Sequence, residues 1–566
     1  MTDVIEQPPP RRKPHLSPDG RIERPSDDPQ AARYGHIHTV ISRRVALWMI
    51  VNFILLISAV PLYQAAVEIS HRMRPRVTDL FVRSTFPNKH ELQLYETSLR
   101  DTSLTRLYFQ PRVQQLVTGA LAAGNSSVVV GREGWLFFRP GVDYVTGPDF
   151  TSTYWQHKRG NELIDTGAGD RSCVDPIATI TDFNQQCAAA GAKLIIVPIP
   201  DKSMLQPAQL SSSFAGNSEI MVPNNPGYAG FLSRLRDAGV AVFDPTPTTV
   251  APSAARFLVH DTHWTPTWMQ EVADQLARQI APRLDTSDRE PMQIRPATVD
   301  GMGDLAELLR LLPQQKLFDP QQVRREQVVG PDGKIIRSRI NSPVLLMGDS
   351  FTNIFSDGQM GWGEGAGFAE HLAYALGQAI DRLSRNDAGA NATRQMLADE
   401  MARGRDHLSG KKVVVWEFAM RELAVGNWKH IKIEPKPPPP LASSQSEEFL
   451  MLKSGETLTA SGEIKAIAAP PVPGSAPYKD HIIGMQLVDL RDSAGKPVAA
   501  RSAVVFVWSM RDQQLTDAAR LRPGARITLK LKPWSDLEPK LGTINRRELD
   551  DDSLILVEPC WGELVK

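Results

Sequence analysis

Three side chains in this sequence have the types needed for nucleophilic acyl transfer, and they fall in two short segments. Ser350 follows Val344-Leu345-Leu346-Met347-Gly348-Asp349, whose four apolar residues read as a buried parallel strand and whose glycine permits a tight turn. A serine held just past a strand end on such a turn presents its hydroxyl where open α/β sheets bind ligands. Serine is a weak nucleophile and needs a base. The segment His260-Asp261-Thr262-His263-Trp264-Thr265-Pro266 offers one. In an extended segment Asp261 and His263, two apart, point to the same side, so the carboxylate can orient the imidazole while its far nitrogen faces Ser350. The order Asp, His, Ser is no objection, because this constellation recurs in unrelated orders. Gly-Asp-Ser is also a common turn composition, and the alternatives for His263 are a buried, hydrogen-bonded histidine beside Trp264 or one ligand of an unseen metal. What favours catalysis is that both segments fall at strand ends of one α/β region. Asp349, the nearest acid, reads as a turn-capping residue.

The elements that must position these residues begin near 175. Asp175-Pro176 is a helix start, with Ile177, Ile180, Phe183 and Cys187 on one face and a stop at Gly191. A buried strand, Leu194 to Pro198, follows; another helix ends near Gly239, and a strand spans Val240 to Phe243. Thr265-Pro266 starts a third helix, with Met269, Val272, Leu276 and Ile280 on its buried face. The serine strand comes after a loop-rich, partly helical insertion at about 284–340. A helix at about 366–384 and a last strand, Val413 to Phe418, complete the layer. Strands alternating with helices predict an α/β fold, a parallel sheet covered on both faces. Upstream, Val128 to Val130 and Trp135 to Phe138 read as a hairpin about Gly131 and Gly134.

The flanks differ in character. Residues 1–44 are rich in Pro, Arg and Asp and predict a disordered tail. The apolar run at 45–62 is about long enough to span a bilayer, with Arg43 and Arg44 abutting its start, as expected for a cytoplasmic flank. An uncleaved anchor at 45–66 is therefore expected, with everything after about residue 66 outside the cytoplasm; a cleaved leader would have a far shorter charged segment. Residues 67–124 show helical periodicity, and 125–431 form the α/β domain. A Pro/Ser-rich linker spans 432–446, with Pro437 to Pro440 consecutive. Residues 447–566 then change to a period of two and predict a small β-barrel or sandwich.

Lys and Arg total 64, Asp and Glu 64, so the net charge is zero and nothing supports nucleic-acid binding. Cys173, Cys187 and Cys560 have no zinc-site spacing, and no metal or organic cofactor is expected. Cys173 and Cys187 could pair in an exported domain; the alternative is that Cys187 is a small buried helix residue. Less central candidates are Lys202 and Arg421, cations following strand ends, Trp264, able to stack on a sugar or pack in the core, and Gly363, in a glycine-rich loop offering a second oxyanion donor beside the Ser350 N–H.

Gly348-Asp349-Ser350-Phe351 resembles the nucleophile block of SGNH hydrolases, and Asp261-Thr262-His263-Trp264 ahead of it resembles the permuted arrangement of the alginate O-acetyltransferase AlgJ/AlgX-like family. The likeness extends through Gly134 to Phe137, Val197 to Lys202 and Trp416 to Leu423, over about residues 125–430. It implies export, an SGNH-like fold, a triad of Asp261, His263 and Ser350, and transfer of acetyl groups to hydroxyls of an exopolysaccharide. It also implies a multi-pass membrane acyltransferase as acetyl supplier, and some members carry a carbohydrate-binding module where the β-rich region lies here. The alternatives are an esterase or deacetylase of a glycan, with water as acceptor, and a noncatalytic polysaccharide-binding scaffold.

Overall fold

The computed structural model describes residues 42–565, apart from 71–74, most of 79–102, 435–448, 472–478 and a few shorter stretches. Residues 1–41 of the tail expected at 1–44 and most of the expected linker lie outside the described residues, and Arg43 and Arg44 already belong to the first helix. The chain divides into two compact units, 1–82 and 83–566. In the first, a 28-residue helix, Arg43–Ser70, is long and apolar enough to cross a membrane, and its apolar window is not buried against protein. Asn52, the one strongly polar residue of the apolar run at 45–62, donates from Nδ2 to the Trp48 carbonyl at 2.8 Å within the helix.

The second unit is built on a five-stranded parallel sheet. Its strands are β1 (Lys193–Ile199), β2 (Ala241–Val242), β3 (Val344–Gly348), β4 (Asp381–Ser384) and β5 (Val413–Ala419), in the order β4-β3-β5-β1-β2. Every residue of β3 and β5 is buried, which is why they read as unbroken apolar runs. β5, last in the chain, is the centre of the sheet: Trp416 pairs with Met347 of β3 on one side and Ile196 of β1 on the other. The carboxyl ends of β3, β5 and β1 therefore lie side by side. Helix Pro176–Ala189 starts as its sequence predicts, with the Asp175 carboxylate accepting from the N–H groups of Ile177 and Ala178. Met269, Val272, Leu276 and Ile280 bury the expected face of helix Pro266–Ile280. Leu136 to Phe138 pair with Val128 to Val130 in the expected hairpin. All three cysteines are free and buried, and Cys187 is a core residue of its helix.

Two elements differ from expectation. The helix expected to 384 stops at Leu376, because Gly377 turns into the left-handed region at φ 71°, and the sequence beyond it forms β4 at the sheet edge. The insertion at 284–340 is mainly a nine-pair antiparallel ribbon, Gln293–Gly301 with Gln321–Val329, enclosing a short helix, Asp304–Leu308. Its first strand is largely solvated on both faces, so it lacks the apolar alternation that signals a strand.

Beyond the linker, β6 (Leu458–Ile467), β7 (His481–Asp492), β8 (Ser502–Arg511), β9 (Arg526–Pro533) and β10 (Cys560–Leu564) close into a barrel in the order β6-β7-β8-β10-β9 and back to β6. Alternate residues, among them Ala460, Met485, Leu487, Val505, Val507, Leu529 and Leu531, fill it with a core of its own. Ion pairs link it to the α/β region: Glu548 lies 3.8 Å from Arg385 and 3.9 Å from Arg403, and Lys479 lies 3.0 Å from Glu307. A closed barrel with a separate core is expected to fold alone. Expressed by itself, 447–566 should give a β-rich circular dichroism spectrum and a cooperative melt; an unfolded fragment would mean that the pairs to Arg385, Arg403 and Glu307 are required.

Candidate active site

Ser350 opens the short helix Ser350–Asn353 directly after β3. Asp349 caps the turn: its Oδ1 accepts from the Phe351 N–H at 2.8 Å, and its Oδ2 accepts from the Ala419 N–H at 3.1 Å at the end of β5. Gly348 is required by close approach, since a Cβ there would lie 2.1 Å from Thr352 Oγ1. The space is taken by Glu417 of β5, whose Oε2 accepts from the Asp349 N–H at 3.0 Å and the Thr352 hydroxyl at 2.7 Å. Burial and the neighbouring Asp349 push the Glu417 carboxyl well above the usual range. Glu417 escaped the sequence reading as a site residue, although an acid inside an otherwise apolar strand was the available signal.

The histidine segment is a turn, not the extended strand expected. The N–H of His263 donates to Asp261 Oδ1 at 3.0 Å, an Asx-type turn, and the Leu258 N–H donates to the His263 carbonyl at 3.0 Å to close the loop. The same carboxylate oxygen lies 2.6 Å from His263 Nδ1, and His263 Nε2 lies 2.8 Å from Ser350 Oγ. Asp261, His263 and Ser350 are thus brought together in one hydrogen-bonded line, all buried. Asp261 Oδ2 accepts from Trp362 Nε1 at 2.9 Å and from the Asp304 N–H at 3.0 Å. Burial alone would raise this carboxyl; the His263 imidazole and these donors outweigh it and hold it at about 2. For His263, burial opposes the charged form, but Asp261, followed by Asp304, outweighs it and raises the imidazole above its ordinary value. Such an arrangement can support general-base chemistry, with Nδ1 held on Asp261 and Nε2 facing the Ser350 hydroxyl. Asp261, His263 and Asp304 place ligand-type atoms within 4.8 Å of one another. The 2.6 Å contact between Nδ1 and Asp261 leaves no room for an ion between those two.

The less central candidates separate. Lys202, expected near substrate, is turned inward and 4% exposed. Its Nζ donates to the carbonyls of Leu136 (2.6 Å), Val259 (2.8 Å) and Asp261 (3.0 Å), so it pins the hairpin and the histidine loop together. Burial brings its ammonium down to about 7. Trp264 is fully buried, with Nε1 donating to the Phe351 carbonyl at 3.1 Å and its ring packed on Phe351, Trp268 and Phe368; a sugar has no access to stack on it. Gly363, at φ 81°, packs against the Arg325 guanidinium. Arg421 pairs with Asp201 at 2.8 Å and stands 5.6 Å from the Phe351 ring centroid, beside the nucleophile turn. Asp201, Asp304 and Trp362 were not singled out in the sequence, because nothing local links them to residues 41 or more positions away.

A family model described as an SGNH hydrolase-like domain, acetyltransferase AlgX, matches residues 128–420. The Azotobacter vinelandii protein named "Probable alginate O-acetylase AlgJ" is 26% identical over 313 residues, 53% of this chain and 70% of that one. A Pseudomonas putida protein of the same name is 24% identical, over 66% of this chain and 92% of its own. Among solved structures, the O-acetyltransferase domain of Pseudomonas putida AlgJ aligns over 53% of this chain and 94% of its own, at 21% identity and a TM-score of 0.37.

The three carbonyls on Lys202 provide a direct test. Lys202→Met takes the ammonium from all three carbonyls, Val259 keeping only the Leu136 N–H, and is expected to destabilise the second unit by about 2 kcal/mol or more. Thermal melts should show the loss; an unchanged melting temperature would mean that the ammonium clamp is not needed.

Proposed function

The chain belongs to the AlgX family of SGNH hydrolase-like acetyltransferases, and on that premise we propose that it transfers acetyl groups to hydroxyls of an alginate-like exopolysaccharide outside the cytoplasm, through a Ser350 acyl-enzyme. The observation that carries the reading is the unbroken line from Asp261 Oδ1 to His263 Nδ1 and from His263 Nε2 to Ser350 Oγ. His263 takes the Ser350 proton as Oγ attacks the acetyl carbonyl of the donor. It returns that proton to the leaving group, and acetyl-Ser350 remains. A sugar hydroxyl then gives its proton to His263 and attacks the acetyl carbon; the proton passes to Ser350 Oγ and the nucleophile is restored. The Ser350 N–H, at the first position of its helix, has no acceptor among the described residues and is the proposed oxyanion donor. Arg421, beside the same turn, is the proposed anchor for an acidic sugar.

Helix Arg43–Ser70 is the proposed anchor, with Arg43 and Arg44 on the cytoplasmic side and the α/β region in the periplasm. Acetyl groups made inside must cross to that side, so the reading calls for a multi-pass membrane acyltransferase as donor. Reporter fusions after residue 70 should be active only as extracytoplasmic reporters, and a cytoplasmic signal would overturn this orientation.

The chemistry is tested by mass spectrometry after incubation with an activated acetyl ester. An acetyl adduct is expected on Ser350, absent from Ser350→Ala and nearly absent from His263→Ala, while Asp261→Asn should slow its formation on the order of 10⁴-fold. An adduct persisting in folded Ser350→Ala would remove Ser350 as nucleophile. Transfer onto oligosaccharide rather than to water separates an acetyltransferase from an esterase. The base must be neutral, and its raised pKa keeps it protonated to higher pH. The acidic limb of acylation should therefore lie above the ordinary histidine value of about 6.5. A limb below that value would contradict the role of Asp261 at His263.

A further inference from the structure

The imidazole of His263 faces a second carboxylate that no step above uses. Asp304 starts the short helix Asp304–Leu308 inside the inserted ribbon, 41 positions beyond His263 in sequence. Gly303 brings that turn against the histidine loop: its φ is 86°, and a Cβ there would lie 2.4 Å from the His260 carbonyl oxygen. The N–H of Leu305 donates to that same carbonyl at 3.1 Å. Three features of Asp304 then converge on the triad. Its N–H donates to Asp261 Oδ2 at 3.0 Å, its Oδ1 accepts from the Thr262 N–H at 2.7 Å, and its Oδ2 stands 3.7 Å from His263 Nδ1. That Oδ2 is buried and has no hydrogen-bond partner. A carboxylate oxygen without a donor is costly in such a place unless something compensates it.

Resting on the acyl-transfer reading, we propose that Asp304 is a positioning residue of the triad: it fixes Asp261 and Thr262 through its backbone and Oδ1, and its free oxygen is placed to receive the positive charge that forms on His263 during acyl transfer. The imidazolium places its positive charge 3.7 Å from Oδ2 and so can compensate it. Burial first, and then the Asp261 charge, push the Asp304 carboxyl up to about 7, whereas the donors around Asp261 hold that carboxyl low. A cavity of about 130 Å³, lined by Asp304, Glu307, Gly361, Trp362 and Lys479, adjoins this site and is roomy enough to hold water. The other charged groups around the imidazole are Asp261 and Arg421, with Lys202 near Asp261 and the Lys479–Glu307 pair across the cavity. The Arg421 guanidinium works against protonation of His263, so Asp304 also offsets that cation.

The sign follows. Removing the carboxylate removes a negative charge 3.7 Å from Nδ1, the imidazolium loses stabilisation, and His263 gives up its proton at lower pH. The test uses the full chain in detergent, labelled with ¹⁵N-histidine, with the His263 resonance assigned by its absence in His263→Ala. Asp304→Asn keeps the shape and the acceptor for Thr262. It is expected to move the His263 titration down by about one pH unit or more, and the acidic limb of Ser350 acylation with it. Asp304→Ser, which retains a short acceptor, should shift both in the same direction. If both variants fold with an unmoved titration, Asp304 is a structural cap and the inference is overturned. The titration is read without any acetyl donor, so failure of the wild type to form an acetyl adduct would sink the acyl-transfer reading and leave the shift to judge Asp304.

Discussion

A buried, ionised carboxylate has to be surrounded by donors or it will take up a proton. Asp261 meets that condition with its whole acceptor capacity: the N–H and Nδ1 of its neighbour His263, the indole N–H of Trp362 and the backbone N–H of Asp304. Much of the candidate active site serves this one group. Trp362 comes from the loop after the nucleophile helix, Asp304 from the inserted ribbon, and Lys202 from the end of β1 holds the Asp261 carbonyl. Loss of any one would remove one of the restraints on Asp261, and through it on the imidazole.

The sheet solves the matching problem for the nucleophile. β3 ends at Gly348, and the strand beside it, β5, sends Glu417 under the turn and the Ala419 N–H onto Asp349. Ser350 is therefore gripped from its own strand and from the next one. Arg421 leaves the same end of β5 and is tied to Asp201 at the end of β1, so three adjacent strand ends are linked above the sheet. This is where parallel sheets place ligands, because adjacent strands diverge there and their loops leave open space.

Apolar periodicity and turn chemistry made most of the α/β order legible in the sequence. The buried runs of β1, β3 and β5, the Asp175-Pro176 helix start and the hairpin about Gly134 are all local signals, and each element formed where its own residues specify. The failures were also local in origin. β4 carries Asp381 and Arg382, and the ribbon at 293–329 carries polar residues on both faces, so neither has the alternation by which strands are recognised. The closing barrel strand, Cys560–Leu564, is short and gains its identity only by pairing with β8 and β9.

For the candidate site, the sequence by itself determined the chemical types: a serine after a glycine turn, a histidine two residues from an aspartate, and cations at strand ends. It could not rank those cations, because Lys202 and Arg421 look alike until burial sends one ammonium onto three carbonyls and leaves one guanidinium beside the nucleophile turn. Only the tertiary structure decided that Asp304, Trp362 and Glu417 belong with the triad. Asp304 and Trp362 reach a triad residue, and Glu417 the turn that carries Ser350, across at least 41 positions of chain, through a hydrogen bond or ion pair whose partner no local pattern specifies. Periodicity reports which face of an element is buried, whereas the identity of the group it is buried against is set by how separate elements dock.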